Sequence, residues 1–146
     1  MSPNDPLLIE ELRRDEGVRY TPYMDTEGIP TVAVGHNLNA KPLPSGLEYP
    51  LNDSQVYSIL VDDVTHVFSA LDRYLGWWRT LTYPRQRVLA SMCFNMGING
   101  LLGFHHMLES ITSGDYEGAA EAMLASKWAA QVGDRSVRLA DMMEAG

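Results

Sequence analysis

The sequence predicts a mostly helical α+β fold, with a small N-terminal lobe carrying a β-hairpin, joined by one long helix to a helical C-terminal lobe. Three observations lead there. Apolar residues recur at helical spacing over most of the chain, most clearly at Val56, Leu60, Val64, Val67 and Leu71. Between Val18 and Gly35 that period gives way to short extended segments around the turn residues Asp25-Thr26-Glu27-Gly28. No repeat or composition break divides the 146 residues, so residues 1–146 read as one domain, large enough to bury a core without staples.

Taken in order, Asp5 is the N-cap of a first helix, with Pro6 at a position where its missing N–H costs nothing. Leu8, Leu12 and Glu16 follow at four-residue spacing, which puts Glu16 on the inward face. Gly17 stops the helix in the left-handed conformation that glycine enters cheaply. The hairpin connection comes next, with Gly28 free to take a positive φ. On the returning strand Thr31, Ala33 and Gly35 share one face and Val32 and Val34 the other, so the small-residue face leaves room for a bulky ligand. Residues 37–51, rich in proline and without a period, form a loop. Asn52 with Gln55 reads as a capping box at the start of the long helix.

Residues 76–83, with Trp77 and Trp78, break the helical pattern. Thr82 then caps a helix whose stripe is Leu89, Met92 and Met96 and whose stop is Gly97-Ile98-Asn99-Gly100. Further helices are expected over residues 101–113, from Tyr116 after the cap Asp115 to Trp128, and from Arg135 to Met143.

Composition removes several classes of function. Lysine and arginine number 11 and aspartate and glutamate 19, a net charge of −8, which argues against nucleic-acid binding. No apolar run approaches membrane-spanning length, and the Met-Ser-Pro-Asn-Asp-Pro start is neither basic nor apolar, so neither membrane insertion nor a signal peptide is expected. One cysteine, Cys93, excludes an internal disulfide and a cysteine metal site; among apolar helical neighbours it reads as a buried, inert thiol. His105 and His106 are adjacent and point apart, unlike metal ligands at helical spacing. Neither a metal nor a cofactor is expected.

Chemistry is suggested by a combination. Singly, Glu16 reads as a solvated helix-end carboxylate, Asp25 as a turn former and Thr31 as an ordinary strand residue. Together, a carboxylate at a helix end, a second on a hairpin and a hydroxyl on the returning strand can converge on one small volume. The helix-end carboxylate meets the negative end of the macrodipole, a setting suited to a group that holds and delivers a proton. That set suits acid/base hydrolysis.

Glu16-Gly17, Tyr23, Asp25-Thr26, Gly28, Thr31 and Gly35-His36 resemble the active-site block of phage-type lysozymes, the endolysin family that includes the T-even phage enzyme. The Glu-x8-Asp-x5-Thr spacing is kept without a gap. Met92 to Gly97 and Gly103-Phe104 resemble that family's central helix and the turn after it, and residues 119–128 its later helix. The resemblance implies a lysozyme-like fold that hydrolyses the β-1,4 bond between N-acetylmuramic acid and N-acetylglucosamine in peptidoglycan. A glycosidic oxygen is a poor leaving group and must be protonated as the sugar becomes oxocarbenium-like. By the resemblance Glu16 is that acid, Asp25 the base or charge stabiliser, and Thr31 the hydroxyl that holds the attacking water.

The same resemblance places Asn37, Phe94 and Asn95 along the sugar cleft, pairs His36 with Asp63 as a stabilising contact, and sets Arg135 near the catalytic glutamate. Two departures touch substrate affinity: Met107 and Ala122 stand where the T-even enzyme contacts sugar, and the small-lobe insertion is shortened to a proline-rich loop. The resemblance further implies a monomer made in the host cytoplasm, whose partner is the glycan strand. It would reach the wall in the periplasm through a pore-forming holin, or as part of a tail or larger protein. A rival reading is a catalytically weak peptidoglycan-binding or scaffolding module with the same fold.

Overall fold

The computed structural model describes residues 1–146. The Asp5 carboxylate accepts the Leu8 N–H at 3.0 Å, and with Pro6 in the first turn it starts α1, Pro6–Glu16. Leu8, Ile9 and Leu12 are its buried side. Gly17 ends it at φ 75°, ψ 167°. That is not the left-handed helical conformation expected of a cap. It is an extended, positive-φ geometry open essentially to glycine alone, and it turns the chain straight into strand β1, Arg19–Met24.

Strand β1 pairs antiparallel with β2, Pro30–Ala33, and β2 with a third strand, β3, His36–Asn37. The expected hairpin is therefore one edge strand and the central strand of a three-stranded sheet. The strand anticipated through Gly35 stops at Ala33, because Ala33 (φ 59°) and Gly35 (φ 63°) both take positive φ and fold the chain back. The open small-residue face is not there either: Thr31, Val32, Ala33 and Val34 are all buried. Alternation sorts side chains only while the backbone stays extended.

Helix α2, Asp53–Tyr74, follows the loop. Asn52 and Gln55 cap it reciprocally, each side-chain oxygen accepting the other's backbone N–H at 2.8 Å. Val56, Leu60, Val64, Phe68 and Leu71 form its buried stripe, with Phe68 taking the place expected of Val67, which is half-buried. Two compact units result, Ser2–His66 and Val67–Gly146 with Met1, and the chain passes from one to the other inside α2.

The second unit is helical. A 3-10 turn, Trp78–Thr80, leads to α3, Tyr83–Leu102, which is two helical pieces that meet at a non-helical Gly97 (φ 78°, ψ 166°), where the expected stop falls. Thr82 occupies the cap position without a side-chain bond. The single helix expected over residues 101–113 is broken at Gly103-Phe104, and α4 is His105–Thr112. The helix expected from Tyr116 to Trp128 is also two: α5, Tyr116–Leu124, and α6, Lys127–Val132. Ser126 causes that break, since its hydroxyl accepts the Ala129 N–H and donates to the Met123 carbonyl, an N-cap in mid-pattern.

Helix α7, Asp134–Ala145, packs against α3, α5 and α6. Trp78, Met92, Leu101, Met107, Met123, Leu139 and Met143 are fully buried in this unit, the flexible thioethers filling its irregular gaps. Cys93 is free and buried, and desolvation pushes its thiol up to about 11. No single helix is long and apolar enough to cross a membrane.

Candidate active site

Asp25 closes the turn between β1 and β2. Its Oδ1 accepts the N–H groups of Glu27 (2.8 Å) and Ile29 (2.9 Å), and its own N–H donates to the Ile29 carbonyl at 3.0 Å. Gly28, at φ 76°, is the residue that lets the chain return. The Ile29 carbonyl also accepts the Thr31 hydroxyl at 2.8 Å. Asp25 and Thr31 are thus fastened to one another through a single backbone unit, Ile29. That residue acts through its backbone alone, and its side chain carries no signal for such a role.

Thr31 lies on the central strand, opposite Tyr23 on β1 and Asn37 on β3. It is 4% exposed. Because its hydrogen goes to Ile29, its oxygen keeps lone pairs for an incoming donor. Asn37 spends its side-chain oxygen locally, accepting the Asn39 and Ala40 N–H groups, both at 2.9 Å. What it can still offer a ligand is its NH₂.

Glu16, half-buried, lies along the backbone of Gly35. A β-carbon at position 35 would sit 3.1 Å from Glu16 Oε2 and 3.4 Å from its Cβ and Cδ. The glycine therefore has two reasons to be there, a positive φ and a carboxylate seated where a side chain would be. Gly35 directly precedes β3, whose His36 and Asn37 pair with Val32 and Thr31. One small sheet thus links the neighbourhoods of Glu16, Thr31 and Asp25.

His36 is buried with both ring nitrogens engaged. Nδ1 meets Asp63 Oδ2 and Nε2 meets the Lys41 carbonyl, each at 2.7 Å. Both partners accept, so the doubly protonated ring satisfies both. The hydrogen bond to Asp63 raises the His36 pKa above its ordinary value, burial opposes it, and the Lys41 carbonyl adds to the rise. Lys41 also bonds the Asp62 carboxylate, which that bond holds below the usual range. Lys41 was not anticipated as the second partner of His36.

The remaining predicted residues belong to the helical unit. Asn95 is exposed, and its side-chain oxygen accepts the Trp128 indole N–H at 3.0 Å, which turns its NH₂ outward. Trp128 is in turn met edge-on by Phe104, ring centres 6.1 Å apart. Phe94 is half-buried rather than core, and Arg135 is half-buried in the first turn of α7. Met107, one of the two departures, is fully buried on α4. No group of three or more His, Cys, Asp or Glu side chains is placed to hold a metal.

Residues 13–141 match the family model for phage lysozyme. The chain belongs to the phage lysozyme family. It is 30% identical over 155 residues to the pre-baseplate central spike protein Gp5 of Enterobacteria phage T4, covering 90% of this chain but 26% of that protein's length. It is also 30% identical to the endolysin of Salmonella phage P22, over 80% of this chain and 77% of that one. The SAR-endolysin of Escherichia phage Mu is similar at 30% identity, with 86% and 72% covered. The phage lysozyme match takes in both units, and with it every residue singled out above from Glu16 to Arg135.

Proposed function

We propose that the chain is a muramidase, a glycoside hydrolase of the lysozyme type that cuts the β-1,4 bond between N-acetylmuramic acid and N-acetylglucosamine in peptidoglycan. The observation that carries this reading is the seating of Glu16 on Gly35 at the end of a sheet whose central strand holds Thr31, tied through Ile29 to Asp25. Glu16 protonates the leaving glycosidic oxygen. The Asp25 carboxylate serves as base or as stabiliser of the developing oxocarbenium charge. Thr31, its hydrogen already committed, accepts a hydrogen bond from the attacking water and so aims one of that water's lone pairs at the sugar, the water's proton passing to Asp25 where that carboxylate is the base. Asn37, Asn95 and Phe94 contact the glycan, the two amides through their outward NH₂ groups. His36 with Asp63, and Arg135, support this machinery without touching the reacting atoms.

The proposed whole is a monomer acting on the cell wall after release through a holin. The second reading, a scaffolding or binding module with little turnover, is favoured by one observation: a relative covering 90% of this chain is named as a spike protein, most of whose length lies outside the match.

Release of reducing ends from purified peptidoglycan separates the two readings. Activity in the wild type that falls about 100-fold or more in Glu16→Gln, the scale of a lost general acid, supports the muramidase. Equal rates in both would remove Glu16 from the role of acid. Wall binding without turnover in the wild type would leave the module.

A further inference from the structure

The helical unit has a depression of about 550 Å³ between the 3-10 turn and the α4–α5 junction, lined by Trp77, Thr80, Leu81, Thr112, Ser113 and Tyr116 among others. Its size falls in the range of about 300–1,000 Å³ usual for small-ligand sites. None of these residues enters the chemistry described above.

Three features give it a chemical character. First, its three aliphatic hydroxyls all donate to backbone carbonyls. Thr80 donates to the Trp77 carbonyl at 2.6 Å, Thr112 to Glu109 at 2.9 Å and Ser113 to Ser110 at 3.0 Å. Each oxygen therefore keeps lone pairs with which to accept from a ligand. Second, two aromatic rings share the depression. Arg85 covers one face of Tyr116, its guanidinium carbon 3.3 Å from the ring centre, so the ring offers the depression its other face or its edge. Trp77 is half-buried, an apolar surface with part of its ring still available. Third, the segment that carries Thr80 and Leu81 is held before any ligand arrives: the buried Gln86 amide donates to the Arg79 and Leu81 carbonyls at 3.1 and 2.8 Å. No carboxylate or ammonium lines it.

A ligand matching this surface is uncharged where it touches, donates several hydroxyl hydrogens, and has an apolar face to lay on an aromatic ring. A pyranose is such a molecule. We infer that this depression is a second, non-catalytic saccharide site, taking a neutral N-acetylhexosamine unit of the glycan. The class of ligand rests on the muramidase reading, while the existence of a site rests on the lining alone. Its consequence is retention: a strand held at Trp77 stays with the enzyme between cuts, which matters for an insoluble wall and not for a short soluble fragment.

The test uses the full chain carrying Glu16→Gln, so that binding is read without turnover. Chito-oligosaccharide is titrated into ¹⁵N-labelled protein and amide shifts are mapped. The expected result is saturable shifts at Trp77, Thr80 and Thr112 to Gly114. Adding Trp77→Ala should weaken them roughly tenfold, about 1.4 kcal/mol. Because Trp77 is half-buried, a Thr112→Ala, Ser113→Ala pair gives a second variant at exposed positions, expected to weaken the same shifts severalfold with the fold intact. In the otherwise wild-type chain, Trp77→Ala should slow wall hydrolysis while leaving cleavage of short soluble glycan unchanged. Shifts confined to residues 16–37, or shifts at the depression untouched by both variants, would overturn the site. A wild type that cuts no glycan yet shows the Trp77 shifts would overturn the muramidase reading and leave the saccharide site standing.

Discussion

The two units hold their important side chains by different means. In the sheet-bearing unit the bonds that hold Asp25, Thr31 and Asn37 are local. Asp25 reaches two and four residues along, Thr31 two residues back, and Asn37 two and three residues on. In the helical unit the fastening is long-range: Trp128 to Asn95 across 33 residues, Arg85 to the Met143 and Glu144 carbonyls across 58 and 59. Local turns fix a group's position with few residues and little core. Helices have no such turns at their centres and must be fixed by packing and by side chains that reach the orphan carbonyls of another helix end. Asp25 and Thr31, the two residues proposed here for the base and the water-holding hydroxyl, are held in this local way.

The largest expected effect breaks the helical side of that contrast. Trp78 is fully buried, its indole N–H bonded to Asp72 at 2.7 Å and its ring edge-on to Phe68 at 4.9 Å. Trp78→Ala should cost about 3–5 kcal/mol in urea unfolding.

On the sheet side, Asp25→Ala leaves two turn N–H groups without their acceptor and should cost about 1–2 kcal/mol. Asp25→Asn keeps an acceptor oxygen and should stay within about 0.5 kcal/mol of wild type. Both should lose cleavage about 100-fold or more. Unfolding curves run beside activity assays separate the turn's need for an oxygen from the reaction's need for a charge.

A smaller effect depends on pH. His36 has a raised pKa, so its ionic bond to Asp63 adds stability that is fully present below the ordinary histidine value of about 6.5 and is lost as pH rises through the raised one. Asp63→Asn should therefore destabilise by about 1–2 kcal/mol at pH 5 and by distinctly less at pH 9. Urea melts at the two values check it; an equal loss at both would mean the pair acts through shape alone.

Much of the fold was legible because its signals were local. The Asp5 cap, the Asn52–Gln55 box and the Gly28 turn each rest on residue types at short spacing and are in place, as is the α2 stripe except at Val67. The errors came where backbone conformation overrode pattern. Ala33 at positive φ ended a strand whose alternation ran on, and Ser126 capped a helix inside a continuous helical period. The candidate site was legible in its side chains and hidden in its backbone. Asp25 and Thr31 are named through the family resemblance, but their link through the Ile29 backbone carries no such signal. Gly35 was noticed as small, although what matters is the carboxylate lying against it.

That carboxylate provides the most direct test. Gly35 and Gly46 both sit at positive φ, 63° and 93°, so alanine strains the backbone at either, by about 1–2 kcal/mol. Only at position 35 does the new β-carbon meet Glu16; at position 46 nothing lies within 4 Å. The measurement is the rate of peptidoglycan cleavage by Gly35→Ala and Gly46→Ala under conditions where both are folded. If the reaction depends on Glu16 lying on the backbone at Gly35, the first variant loses at least tenfold, about 1.4 kcal/mol of barrier, and the second stays near wild type. Equal rates in the two would contradict the placement of Glu16 as the acid.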